Sequence, residues 1–416
     1  MTKILVFNPV SGHGHLDSWC LLVVRSLLAS GYEVQVLSPN ISGFSRDLAQ
    51  HDLVENSQLQ LLRWEFTLGE KIRAITVGLY RLLPKLARLL IGRAQKFYTS
   101  QRSILQTEPT EPDVGHVDPL SFSRHLNSSL RRSEHLPDLV LNLYMDVYVT
   151  SPDAWKAVVK EVNFPVIGFR FVPYRQKREG YLETPSFKGL CLFETEVISE
   201  YQKKFPDKEF AILPDVASAS LPSTRCSLAQ EILKRSNGRK IVFCGGSIGH
   251  QKNISIWAQV VEIANAASWF FVLLGEQHLH SLTKEDLDHL QRSEKRENTY
   301  IAGQYIEDET IFNEVISISD VIFAVYRDFP GSSNMLIKAA LFSKPILVSE
   351  KFEMGKRVQQ SGIGFCLKED DPSAIARALE KSQTDLISEK YFEEFRDKYS
   401  FDKFALSLDK FVKKIV

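Results

Sequence analysis

What this chain lacks narrows the field before any motif does. It has no net charge, 51 Lys and Arg standing against 51 Asp and Glu, so no overall field favours nucleic acid as a partner. No apolar run approaches the ~20 residues of a membrane-spanning helix. The first strand starts at Lys3 without a cationic leader or a small-residue cleavage site, so neither a transmembrane segment nor a signal peptide is expected. Cysteine is sparse and odd in number: Cys20, Cys191, Cys226, Cys244 and Cys366 are scattered, mostly in apolar runs. That pattern predicts reduced, buried thiols in a cytoplasmic protein. Metal-ligand spacing is missing as well. His278-x-His280 and Asp286-x-Asp288 are pairs without the further ligands a site requires, and the second falls in a polar helical stretch that reads as a solvated face.

What is present is one α/β plan used twice. At 416 residues the chain is too long for one compact core and predicts about two domains. KILVF at 3–7 is a buried strand, 8–15 a glycine-containing turn, 16–29 a helix ended by Gly31, and EVQVL at 33–37 the next strand. The plan recurs from Lys240, with KIVFCGG as strand and turn, a helix over 254–267 and FFVLL at 270–274. Further strands are expected at 139–143, 166–171, 189–193 and 211–213, and then at 300–302, 321–325 and 346–348. Small residues and prolines replace periodic pattern in LPDVASASLPSTR at 213–225, which places a boundary there. The expected fold is two Rossmann-like, doubly wound domains, 1–217 and 218–399, facing each other across a cleft, with 400–416 as a helix crossing back to the first.

The stretch 319–350 carries the clearest chemistry. A buried strand, the loop Pro330-Gly331-Ser332-Ser333-Asn334 and a helix over 335–342 follow one another. Glycine lets backbone approach a ligand, Ser and Asn add donors, and the first helical turn adds unpaired N–H groups at the positive end of the dipole. A phosphate or diphosphate fits such a loop, and so does an ordinary helix cap. A dinucleotide fold is the obvious competitor, but in Gly12-His13-Gly14-His15-Leu16-Asp17 the third glycine position is Asp17. The strand at 33–37 also ends at Ser38 without the ribose-binding acid, so a nicotinamide or flavin cofactor is not expected.

The chain resembles the GT-B nucleotide-sugar glycosyltransferases over nearly its whole length, its second half most closely the family-4 branch. The residues that carry this are Gly14-His15, Gly246-Ser247-Ile248 with Lys252-Asn253, Leu274-Gly275-Glu276, Ala302-Gly303-Gln304-Tyr305, Ser319-Asp320, and Ala339 with Lys344-Pro345. Ile212-Leu213-Pro214-Asp215-Val216 is similar to the family's interdomain crossing. Two glutamates with seven residues between them are usual in that branch, and Pro330 and Lys338 stand at those positions here. Ser247 likewise replaces the basic residue that usually follows the glycine. The resemblance implies a donor site of Gly246, Ser247, Lys252, Gly275, Glu276, Gln304, Tyr305, Tyr326, Gly331, Ser332, Ser333, Asn334 and Lys338, taking a UDP- or GDP-sugar without metal or other cofactor. Lys252 is the expected diphosphate cation, the alternative being a solvated residue at a helix start. Gly12, His13 and Gly14 form the acceptor or phosphate loop. His15 is the candidate general base, since imidazole titrates near pH ~6.5, with Asp17 as its orienter.

The acceptor side is less defined. Over 63–102 nine Lys or Arg meet two Glu among Leu, Ile, Trp and Tyr, and Arg81, Lys85, Arg88 and Arg93 recur around an apolar helical face at 79–91. This describes either an interfacial helix at an anionic membrane or a helix packed on the domain with snorkelling cations. The Pro- and Ser-containing stretch 107–132 predicts an irregular loop beside the cleft. The expectation is a cytoplasmic, peripherally membrane-associated glycosyltransferase acting on a hydroxyl acceptor. The alternatives are an epimerase or phosphorylase-like enzyme of the same fold and a noncatalytic sugar-nucleotide-binding protein.

Overall fold

The structure, a computed structural model, describes residues 1–10, 16–49, 53–62, 64–65, 117–131, 136–158, 161–172, 179–306 and 308–416. Two parallel sheets organise it. The first contains β1 (Lys3–Phe7), β2 (Glu33–Leu37), β3 (Leu59–Leu62), β4 (Leu139–Asn142), β5 (Val166–Arg170), β6 (Phe187–Leu192) and β7 (Glu209–Ile212), in the spatial order β3-β2-β1-β4-β5-β6-β7. The second contains β8 (Lys240–Gly245), β9 (Trp269–Leu274), β10 (Thr299–Ala302), β11 (Val321–Ala324), β12 (Ile346–Ser349) and β13 (Gly364–Leu367), in the order β10-β9-β8-β11-β12-β13. In both, the winding direction reverses beside the first strand, between β1 and β4 and between β8 and β11. That is where open α/β sheets leave a crevice at the carboxyl ends of their strands.

The apolar runs are explained by burial on both faces. Along β1, Ile4 and Val6 enter one hydrophobic cluster while Leu5 and Phe7 enter another on the opposite face. Along β8, Ile241 and Phe243 separate in the same way from Val242 and Cys244. A two-residue period with both phases apolar is what a parallel sheet covered by helices on both sides requires.

The last helix, Phe401–Ile415, returns to the first sheet. Phe404, Leu408, Phe411 and Val412 lie in the same cluster as Ile4, Val6 and Trp19, and Tyr32 Oη donates to Asp409 at 2.8 Å. A separate helix, Glu389–Lys398, packs Phe392 and Phe395 into the second domain.

Several local expectations are corrected. The stretch 107–132 is not an irregular loop where it is described: Pro119–Leu130 is a helix, with Asp118 accepting from Leu120 N and Pro119 in its first turn. Phe122, Leu126 and Leu130 form its buried stripe, the period that proline and serine content obscured. The helix expected over 254–267 is Ile254–Ile263, and the edge strands β3 and β13 are additional. The basic stretch 63–102 lies outside the described residues except for Trp64 and Glu65. Trp64 stacks on His125 with centroids 4.2 Å apart.

Candidate functional site

The register of the second sheet gathers distant residues on one rim. Leu274 pairs with Gly245 on one side and with Ala302 on the other, so β8, β9 and β10 end level. Gly246 and Ser247, Gly275 and Glu276, and Gln304 and Tyr305 therefore follow one another along their carboxyl edge. Gly246 has φ +100° and Gly275 has φ +148°, backbone that side chains rarely adopt. A Cβ on Gly275 would stand 1.8 Å from the Gly246 carbonyl oxygen, so the two turns are in backbone contact.

From Gly246 the chain reaches a short turn, His250–Lys252, and Asn253, which is buried at φ +53°. Asn253 Nδ2 donates to the carbonyls of Val325 and Glu369, at 3.3 and 2.8 Å, and its Oδ1 accepts from Arg327 Nη2 at 3.1 Å. Arg327 N also donates to Gln251 O at 3.0 Å. The loops after β8 and β11 are thus fastened to each other across the switch point. Their product is a fixed lysine: Lys252 Nζ donates to Tyr326 Oη at 2.7 Å and lies 4.1 Å from the Tyr326 ring centroid. The same ammonium is 3.7 Å from where a Cβ on Gly246 would be, so it hangs over a surface without a side chain.

The loop 330–334 completes this rim. Helix Asn334–Leu341 begins there, and Ser333 is its cap, Oγ accepting from Met335 N at 3.3 Å. Ser333 thus fills the ordinary capping role, while Asn334 Oδ1 is buried with no hydrogen-bond partner. Ser332 Oγ turns away and donates to Asp215 Oδ2 at 2.6 Å.

Lys338 is a correction. It lies one turn into this helix with a side chain only 3% exposed, and its ammonium donates to Glu309 Oε1 at 2.6 Å and to Asn313 Oδ1. Burial lowers its pKa, partly offset by Glu309. It is a structural cation facing the helix Glu309–Ile318, not a free charge for a diphosphate. Asp286 is corrected too. The residue expected on a solvated face is fully buried and forms a capping box with Thr283. It accepts from Ser255 N at 3.1 Å and faces Arg327 Nη2 at 3.5 Å. Thr283-x-x-Asp286 was the available sequence signal; nothing local pointed to Arg327.

In the first domain Asp17 stands in the first turn of helix Leu16–Ala29, its Oδ2 accepting from Asn40 Nδ2 at 3.5 Å. Gly12, His13, Gly14 and His15 lie outside the described residues. Among the described residues no group of three or more His, Cys, Asp or Glu could hold a metal ion, and no helix is long and apolar enough to cross a membrane.

Two doubly wound parallel sheets and a helix returning from the second domain to the first are the layout of the GT-B fold. No protein-family model matches the chain, and no curated protein matches it in sequence. Solved structures do. Anabaena HepE in complex with UDP and glucose is similar at TM-score 0.62 and 11% identity, with 100% of both chains covered. Sucrose-phosphate synthase from Thermosynechococcus elongatus is similar at TM-score 0.61 and 12% identity, over 100% of this chain and 99% of that one. The E. coli trehalose-6-phosphate structure bound with UDP-2-fluoro glucose gives 0.62 and 12%, with 100% of both chains covered. The chain has the GT-B fold.

Proposed function

We propose that this protein is a glycosyltransferase moving a sugar from a nucleotide-diphosphate donor to a hydroxyl acceptor. The observation that carries the proposal is Lys252, whose ammonium is held 2.7 Å from Tyr326 Oη over Gly246, at the point where the second sheet reverses. Departure of a nucleoside diphosphate builds negative charge on the leaving oxygen. A preorganised cation and helix-start N–H groups lower the barrier because they need no reorganisation as that charge appears. Lys252 supplies the cation; the start of helix Asn334–Leu341 supplies the dipole, and Asn334 an unspent acceptor for a donor hydroxyl. No cofactor is invoked. UDP-sugars are the first donors to test, since HepE was solved with UDP and glucose. Assignment to a family-4-like branch and to hexosyl transfer rests on the motifs around Gly246, Lys252 and Gly303. The acceptor belongs to the first domain, where His15 is the proposed base and Asp17 its orienter, and the basic stretch 63–102 is proposed to hold the protein at an anionic membrane surface.

One observation favours a second reading, a noncatalytic sugar-nucleotide-binding protein. Pro330 and Lys338 stand where the branch carries glutamates, and Lys338 is consumed by Glu309. Calorimetric titration of the full chain with UDP, GDP, ADP and dTDP tests what both readings share: at least one binds, and failure of all four removes both. Release of free sugar or glycoside from the matching donor then separates transferase from binding protein.

A further inference from the structure

The segment joining the two domains reaches directly into the anion loop. Asp215, 8% exposed, accepts from Ser332 Oγ at 2.6 Å through Oδ2, and Arg357 Nη1 is 3.9 Å from the same oxygen. Arg357, 5% exposed, stands on helix Phe352–Ser361 of the second domain. Its Nη2 donates at 2.6 Å to the carbonyl of Phe193, just past β6 in the first domain, and its Nε donates to Glu353 at 2.7 Å. The guanidinium also lies 4.9 Å from the ring centroid of Tyr399, between the helices Glu389–Lys398 and Phe401–Ile415. One buried cation therefore bonds to the first domain and the second, faces the linker carboxylate, and lies beside Tyr399 at the turn into the returning helix. Asp215 extends that junction to Ser332.

The loop is held on its other side as well. A Cβ on Gly331 would lie 3.7 Å from Val172 Cγ2 and 3.8 Å from the Phe171 carbonyl, so the glycine abuts the end of β5. Phe171 and Val172 are themselves fixed by Asp146, whose carboxylate accepts from their N–H groups at 3.0 and 2.9 Å. Pro330 is exposed and the Gly-Ser-Ser-Asn after it has no apolar side chain with which to order the loop, and unordered donors lose entropy on meeting a ligand. Its conformation must be imposed from outside.

We propose that Asp215, anchored by Arg357, is a positioning residue for donor binding. It fixes the Ser332 side chain toward the linker, which presents the start of helix Asn334–Leu341 to the diphosphate and makes the loop's order depend on the junction between the domains. This rests on the reading of the site as a diphosphate site. Asp215 acts through Ser332 and does not touch the ligand.

The test is a double-mutant cycle on the full chain, with UDP affinity measured by calorimetry and Tm recorded for every variant. Asp215→Ala is expected to weaken UDP binding about tenfold, the scale of one hydrogen bond to a charged acceptor. Ser332→Ala should match it, and the double variant should lose no more than either single one. Asp215→Asn, which still accepts from Ser332, should restore most of the affinity. A purely structural linker aspartate would lower Tm, leave UDP affinity alone and show additive effects, and that pattern overturns the inference. Wild-type chain that binds UDP while Asp215→Ala binds it equally removes this inference only. Wild-type chain that binds no nucleotide diphosphate removes the diphosphate site and this inference with it.

Discussion

Replacing Glu309 with Gln strands a buried cation, and its cost can be worked out. Lys338 Nζ has two acceptors, Glu309 Oε1 at 2.6 Å and Asn313 Oδ1, with the Phe312 ring centroid 5.7 Å away. Removing one partner of a buried pair typically costs about 3–5 kcal/mol. Here Asn313 remains and glutamine keeps an acceptor oxygen, so about 2–3 kcal/mol is the expected loss. The pH dependence has a definite sign. Burial already holds Lys338 below the ordinary lysine value of 10.5, and Glu309 is what pulls it back up, so the substitution drops the folded-state pKa further. Between the folded and unfolded values the unfolded chain holds a proton that the folded chain has released, and stability rises with pH across that window. In the wild type the window lies below 10.5; in Glu309→Gln it extends further downward. Urea midpoints at constant slope, taken from neutral to alkaline pH, should show the variant's deficit largest near neutrality and shrinking as pH rises. A deficit below about 0.5 kcal/mol at every pH, the range of an ordinary surface substitution, would show that the ammonium reaches solvent and is free to meet a ligand.

Other outcomes follow from the same geometry. Lys252→Ala should lower kcat/KM for donor turnover by about 10- to 1000-fold, the effect of removing one charge-stabilising contact; wild-type kinetics would assign Lys252 to an inert surface. Asp286→Asn should cost about 1–3 kcal/mol at neutral pH because Arg327 loses its buried counter-charge. Burial pushes the Asp286 carboxyl up, but hydrogen bonds from Thr283 and Ser255 and the charge of Arg327 carry it below its usual value. The stability it contributes is therefore present above the unfolded value and is lost as pH falls through the folded one, so acid titration of the two proteins should converge. Reversing Arg81, Lys85, Arg88 and Arg93 to Glu should abolish sedimentation with anionic liposomes at low salt while leaving Tm and UDP affinity unchanged; loss of folding instead would mean these side chains pack on the domain.

The core strands were legible because burial on both faces writes them as unbroken apolar runs, as in KILVF and FFVLL. The edges were not. LQLL of β3 and GFCL of β13 are short, and their residues are mostly half-buried, so they carry no comparable run. Gly246 and Lys252 stood out only through the resemblance, whereas the glycine and capping chemistry of 330–334 was legible because it is local. Lys338 was misread for the opposite reason. Its partner Glu309 is 29 residues away in sequence, and only the packing of neighbouring helices decides whether that ammonium faces ligand or protein. Asp215 and Arg357 show the same limit: Asp215 sits in a stretch that looks like plain linker, and Arg357 on an ordinary polar helix. What makes them a junction is the approach of Phe193 and Ser332 from two different domains.

The nucleoside diphosphate is proposed to sit on the second domain's rim. A structure of the protein with UDP tests it most directly. The diphosphate should lie within hydrogen-bonding distance of Lys252 Nζ and the N–H groups at the start of helix Asn334–Leu341, with Lys338 still paired to Glu309. UDP bound elsewhere, with Lys252 still donating only to Tyr326, would contradict it.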